Sequence, residues 1–181
     1  MYGPERPASE ARSEPQASGA RGPKRAASRS RVESSRVQPG FVIMQIGNAQ
    51  LDVLYERALA PALSACGFEP RRVDRHNRGG LLVSEIISFI EEAEVVVADL
   101  THERPNCYLE VGYVLGVGKG TNLILTARAD HDPESDSHRP GGHRVHFDLA
   151  GFEILFWKPD RLDGFRRELE KRILRRREML A

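Results

Sequence analysis

The chain has little cysteine. Cys66 and Cys107 are the only two in 181 residues, too few for a disulfide framework. It has little net charge, formally +1, so no broad basic field points to nucleic acid, and no specific nucleic-acid partner is expected. No run approaches the roughly 20 apolar residues of a membrane span. No apolar segment of the kind that marks secretion is present either. The expectation is a cytoplasmic protein with no membrane partner. Internal repeats are also missing.

What is present falls into two parts. Residues 1–40 are rich in Ser, Ala, Arg, Pro and Gly, with almost nothing to enter a core. Such a composition cannot offset chain entropy, so a disordered tail is expected there. Its Arg and Ser content suits a transit peptide, but Glu5, Glu10, Glu14 and Glu33 do not. Residues 41–181 read as one α/β domain.

In that domain strand and helix signals alternate. Phe41–Ile46 is a short apolar run read as a strand. Leu54, Ala58, Ala62 and Ala65 share a helix face, which Pro61 should kink or split. Gly67 ends that helix. Phe68–Val73 is the least hydrophobic strand and so belongs near an edge. Gly79-Gly80 opens a second helix, with Leu82, Ile86, Ile90 and Ala93 at helical spacing. Further strands are expected at Glu94–Ala98, Thr121–Thr126 and Phe152–Trp157. A third helix is expected at Asn106–Gly118, and Leu162, Phe165, Leu169 and Ile173 line a final one. Continuous apolar strands between amphipathic helices imply a parallel sheet covered on both faces. Five strands suggest the flavodoxin-like, doubly wound order 2-1-3-4-5, with its ligand crevice between the first and third strands.

Three segments converge on that crevice: Gln45-Ile46-Gly47, Asp99 to Asn106, and the start of the third helix. Glu110 is read into that helix's first turn, where the macrodipole favours an ionised carboxylate. Such a group suits a nucleophile, or a partner for the cation that forms when a glycosidic bond breaks. It could equally serve only the dipole. Asp99 ends the third strand. It either accepts hydrogen bonds from the following loop or binds a ribose hydroxyl and shuttles a proton. Asn106 caps the helix or touches substrate. Tyr108 stacks on a base or packs. Gly79 and Gly80 could cradle phosphate, and Asp74 could bond a ribose hydroxyl or only solvate a loop. Gly112 and Gly116 are expected to let their helix approach the sheet closely. Cys66 reads as a small core residue, and Cys107 as either core or a reactive thiol. The segment from Ala127 to Val145 holds His131, His138 and His143 and reads as a solvated lid. Its spacing matches no strong metal-ligand motif, so no metal is expected.

The run Ala98-Asp-Leu-Thr-His-Glu-Arg-Pro-Asn-Cys-Tyr-Leu-Glu-Val-Gly112 resembles the nucleoside 2-deoxyribosyltransferase-like family. The similarity is to its bacterial nucleotide-binding branch, related to TIR domains. Asp99, Thr101, Pro105, Asn106, Glu110 and Gly112 match that branch's motif at the same spacing, and the resemblance covers Phe41 to Lys119. Gln45 stands where the branch usually has proline, and Leu109 where it usually has an aromatic. The resemblance implies that Glu110 is the catalytic glutamate attacking an anomeric carbon. It makes Asp99 and Asn106 pocket residues; Gln45, Gly47, Thr101 and Tyr108 are expected beside them from their place at the crevice. It also implies a homo-oligomer in which a neighbouring subunit completes the site.

The expected function is cleavage or transfer at the N-glycosidic bond of a nucleoside, nucleotide or NAD-like dinucleotide, with no cofactor. The alternative is a nucleotide-sensing module without turnover, in bacterial signalling or defence. A phosphoacceptor receiver shares this architecture, but Gln45-Ile46-Gly47 supplies no acid to hold its magnesium.

Overall fold

The structure is a computed structural model that describes residues 37–75, 81–149 and 151–180. Five strands form one all-parallel sheet in the order β2-β1-β3-β4-β5. They are β1 (Gln38–Ile43), β2 (Phe68–Arg71), β3 (Val95–Asp99), β4 (Leu123–Arg128) and β5 (Ile154–Trp157). The expected flavodoxin-like order is the observed one, and β2 is an edge strand.

Strand β1 begins before Phe41 and stops before Met44, earlier at both ends than the apolar run suggested. Gln38 pairs with Phe68 of β2, and Gly40 with both Pro70 of β2 and Val95 of β3. Residues 38–40 therefore belong to the sheet and not to a tail. The rest of the expected tail, residues 1–36, lies outside the described residues, as do Gly79 and Gly80. Gly40 leaves room for Leu63: a Cβ there would meet Leu63 Cδ2 at 2.7 Å and force that side chain to shift. The neighbouring Pro39 has no N–H, but its carbonyl accepts the Glu94 N–H at 2.9 Å.

The first crossover is a continuous helical stretch: α1 (Ala49–Leu54), a π turn (Tyr55–Leu59) and α2 (Ala60–Ala65). Asn48 caps it, its Oδ1 accepting the N–H groups of Gln50 and Leu51 at 3.1 Å. Pro61 does not break the stretch; a wider turn directly precedes it. The remaining longer helices are α3 (Leu82–Glu92), α4 (Pro105–Gly116) and α5 (Leu162–Leu180). No helix among the described residues is long and apolar enough to cross a membrane.

Strand alternation sorts the core into two layers. Val42, Val95, Val97, Ile124 and Trp157 pack with α1, α2 and α5 on one face. Phe41, Ile43, Val96, Ala98, Leu123 and Leu125 pack with α3 and α4 on the other. Cys66 is buried in the first layer and Cys107 in the second.

Candidate functional site

A cavity of about 240 Å³ opens at the carboxyl end of β1. This is the switch point, where the connection from β1 runs to β2 on one side and that from β3 runs to β4 on the other. Its apolar wall includes Met44, Ile46, Val73, Leu82 and Ile86, and its polar groups are Gln45, Arg104, Asn106 and Glu110. Of the residues expected at the site, Gln45, Asn106 and Glu110 meet here.

Glu110 departs from expectation in position and in charge. Helix α4 begins at Pro105 with Arg104 as its N-cap, so Glu110 lies in the second turn, and no acid stands in the first. The dipole's positive end is too far away to hold the carboxylate ionised. Burial instead pushes its carboxyl up to about 7. Near neutral pH it is shared between a proton donor and an anion. Asn106 does not cap the helix, which has no side-chain cap; its side chain is left to the cavity.

Asp99 is elsewhere. It is fully buried, and both carboxylate oxygens are occupied. Oδ1 accepts the Thr101 N–H at 3.1 Å, while Oδ2 accepts the Thr126 hydroxyl at 2.9 Å and the Trp157 indole N–H at 2.8 Å. Burial pushes its carboxyl above the ordinary value, although these donors pull the other way. Thr101 is buried too, its hydroxyl accepting the Arg128 N–H at 2.9 Å. Both residues fasten the ends of β3, β4 and β5 together and line no described cavity.

The other expected residues are scattered. Asp74 chelates the buried Arg72 through two 2.6 Å bonds. Burial pushes its carboxyl up, but the Arg72 guanidinium outweighs that and holds it below the usual range. Gly47 has φ +77°, so it turns the chain after β1, and it does not line the cavity. Tyr108 faces a separate groove on the far side of α4, where its hydroxyl accepts the His146 N–H at 3.2 Å. Gly112 and Gly116 do not approach the sheet; a Cβ on either would meet nothing within 4 Å. The Cys107 thiol is pushed by burial to about 12, which makes it an inert core group and not a nucleophile.

Most of residues 133–144 are exposed, as a solvated segment would be, but the segment is anchored at its start. His131 is fully buried. Its Nε2 accepts the His102 N–H at 2.9 Å, which leaves Nδ1 to donate to Asp130 Oδ1 at 2.8 Å. The ring of His143 stacks on that of His131, 5.4 Å between centroids, and bonds Glu103 at 2.6 Å. His102 Nδ1 lies 2.9 Å from Gln45 Oε1. These contacts hold two consecutive residues in the left-handed region, His102 at φ 67° and Glu103 at φ 49°. Non-glycine residues rarely adopt it, and such outliers gather at functional sites. The strained pair delivers Arg104 to the cavity mouth. Sequence reasoning singled out neither His102 nor Arg104, although both sit inside the motif it quoted. No group of His, Cys, Asp and Glu among the described residues is arranged to hold a metal.

No protein-family model matches this chain, and no curated protein matches it. Function therefore rests on the cavity itself.

Proposed function

We propose that this chain cleaves, or transfers across, the N-glycosidic bond of a nucleoside-type ligand at the β1–β3 switch point. One observation carries the reading. A half-buried glutamate, without an ionic partner among the described residues, lines a sugar-sized cavity where a doubly wound sheet binds ligands. Ionised Glu110 attacks the anomeric carbon, or stabilises the cation forming there. The base departs with the electron pair of the C–N bond and takes a proton from solvent or from a protonated neighbour. Water, or an incoming second base, then displaces Glu110 from the anomeric carbon. Asn106 and Gln45 present amides to the sugar hydroxyls, and Leu82, Ile86 and Met44 bury the base. The similarity of the Asp99-to-Gly112 motif to the nucleoside 2-deoxyribosyltransferase-like family supports the same chemistry.

Because the anion is the attacking species, turnover should rise with pH through about 7. Incubation with a panel of nucleosides and nucleotides, followed by chromatography of free base, tests the reading. Base release is expected from wild type and should drop at least a hundredfold in Glu110→Gln. Release that the substitution leaves unchanged removes Glu110 from the reaction.

A second reading, nucleotide sensing without turnover, is favoured by one fact. Among the described residues Glu110 is the only carboxylate lining this cavity, since Asp99 is sequestered. Saturable nucleotide binding with no product after prolonged incubation would establish it.

A further inference from the structure

We infer that Arg104 makes one end of this cavity a subsite for a phosphate esterified to the ligand's sugar. The ligand would then be a nucleotide and not a free nucleoside. The inference rests on the reading that Glu110 faces the sugar.

Among the described residues Arg104 is the only cationic side chain lining the cavity. Among the described residues it forms no ion pair, whereas the other arginines near the carboxyl ends of the strands are engaged. Arg71 binds Glu69 and Glu92, Arg72 binds Asp52 and Asp74, and Arg128 binds Asp130. Arg104 and Glu110 do not neutralise each other across the cavity, because Glu110 is raised by burial with no cation lowering it. The cavity lining therefore carries an exposed guanidinium without an ion pair among the described residues and, farther along α4, a carboxyl.

Their separation has a chemical meaning. Arg104 caps α4 and Glu110 lies six residues along it. At about 1.5 Å per residue that is roughly 9 Å of helix axis. A furanose set with its anomeric carbon against Glu110 extends its exocyclic 5′ carbon away from that carbon, so a 5′-phosphate falls toward Arg104. A planar guanidinium can hold two phosphate oxygens at once. The backbone fixes this presentation. Pro105 restricts Arg104 to extended geometry, observed at φ −69° and ψ 120°. The His102–Glu103 pair before it is pinned by His131, Gln45 and His143. A monophosphate and the pyrophosphate of a dinucleotide share this 5′ ester.

The test is calorimetric titration of the full chain with ribose, ribose 5-phosphate, inorganic phosphate, and matched nucleosides, 5′-monophosphates and NAD. Ribose 5-phosphate should bind at least tenfold tighter than ribose, and nucleotides tighter than their nucleosides by a similar factor. Arg104→Ala should erase the difference, and Arg104→Lys should keep part of it. Arg104 is exposed and without an ion pair, so the variants should match wild type in circular dichroism and melting. A monophosphate preferred over NAD, or the reverse, identifies which 5′ ester is bound; either supports the subsite. Equal binding of phosphorylated and plain ligands, or a difference that survives Arg104→Ala, overturns it. Base released equally well from plain nucleosides would also overturn it, while leaving the role of Glu110 intact. Should no phosphorylated probe bind and no base be released, both readings fall together.

Discussion

Asp99 and Glu110 lie on opposite faces of the sheet. Asp99 follows Val95 and Val97 in the alternation of β3, toward α1, α2 and α5, and meets Trp157 of that layer. Glu110 rides on α4, which covers the other face. Asp99 is enclosed with both oxygens occupied, whereas Glu110 lines the cavity. One closes the sheet's carboxyl edge, and the other is left to the ligand.

Replacing Asp99 should therefore cost stability before it costs chemistry. Asparagine offers one acceptor oxygen to the donors of Thr101, Thr126 and Trp157 and turns an amide on at least one of them. Urea denaturation of Asp99→Asn should show a loss of roughly 1–3 kcal/mol. Ligand affinity of the folded fraction should stay within twofold of wild type. A stable variant that had lost affinity would instead place Asp99 at the ligand.

Glu110 sets a pH dependence of stability. Its folded value, about 7, lies above the ordinary 4.5. The folded chain holds that proton more tightly than the unfolded chain. Its contribution is therefore fully present below pH 4.5 and drains away as pH rises through about 7. Wild type should lose on the order of 1–3 kcal/mol from this group across that window. Glu110→Gln cannot ionise and should show a correspondingly flatter profile in chemical denaturation at acid and alkaline pH.

Gly40 tests the packing of α2 on β1. In Gly40→Ala the new methyl collides with Leu63, and it also crowds Phe68 and Val95 at 3.3 Å. The expected cost is about 1–3 kcal/mol. Pairing it with Leu63→Ala should give a combined loss smaller than the sum of the two, measured as a double-mutant cycle. Strict additivity would mean that the methyl never touches Leu63.

His131 tests the support beneath the left-handed pair. His131→Leu strips the acceptor from the His102 N–H and the donor from Asp130. We expect about 2 kcal/mol of destabilisation and much faster hydrogen exchange at the His102 amide. Protection equal to wild type there would show that other contacts suffice to hold the turn.

Both thiols should be silent in the native state. Cys66 and Cys107 are buried, and burial raises each thiol, Cys107 to about 12. A thiol-reactive dye at neutral pH should label neither until denaturant is added, and then both. Rapid native labelling at Cys107 would contradict its place on the buried face of α4.

Much of the architecture was legible because it rests on long apolar patterns. Val95–Ala98 and Leu123–Leu125 are hydrophobic on both faces, the mark of a buried parallel strand. The limits of β1 were not legible. Pro39 and Gly40 read as tail residues, yet pairing on both sides draws them into the sheet. Glu110 could be found from its motif, but its ionisation could not, because that depends on burial by α3 and β1. Asp99 looked catalytic because proximity in sequence hid its side-chain direction. The alternation through Val95 and Val97 carried that information. His131 was out of reach: a histidine among polar loop residues gives no sign that its ring will be wholly enclosed.

The π turn in the first crossover has a consequence for the length of that segment. Leu51, Tyr55, Leu59 and Leu63 are buried, and so are Leu54, Ala58, Ala62 and Cys66. Inward side chains thus recur at every fourth position, whereas an ordinary helix of about 3.6 residues per turn would rotate such a series roughly 40° at each recurrence. The wide turn Tyr55–Leu59 absorbs the surplus and returns the second half to phase. One residue could be deleted within that turn and both halves would still point inward. The same deletion inside α2 would swing Leu63 and Cys66 out toward water.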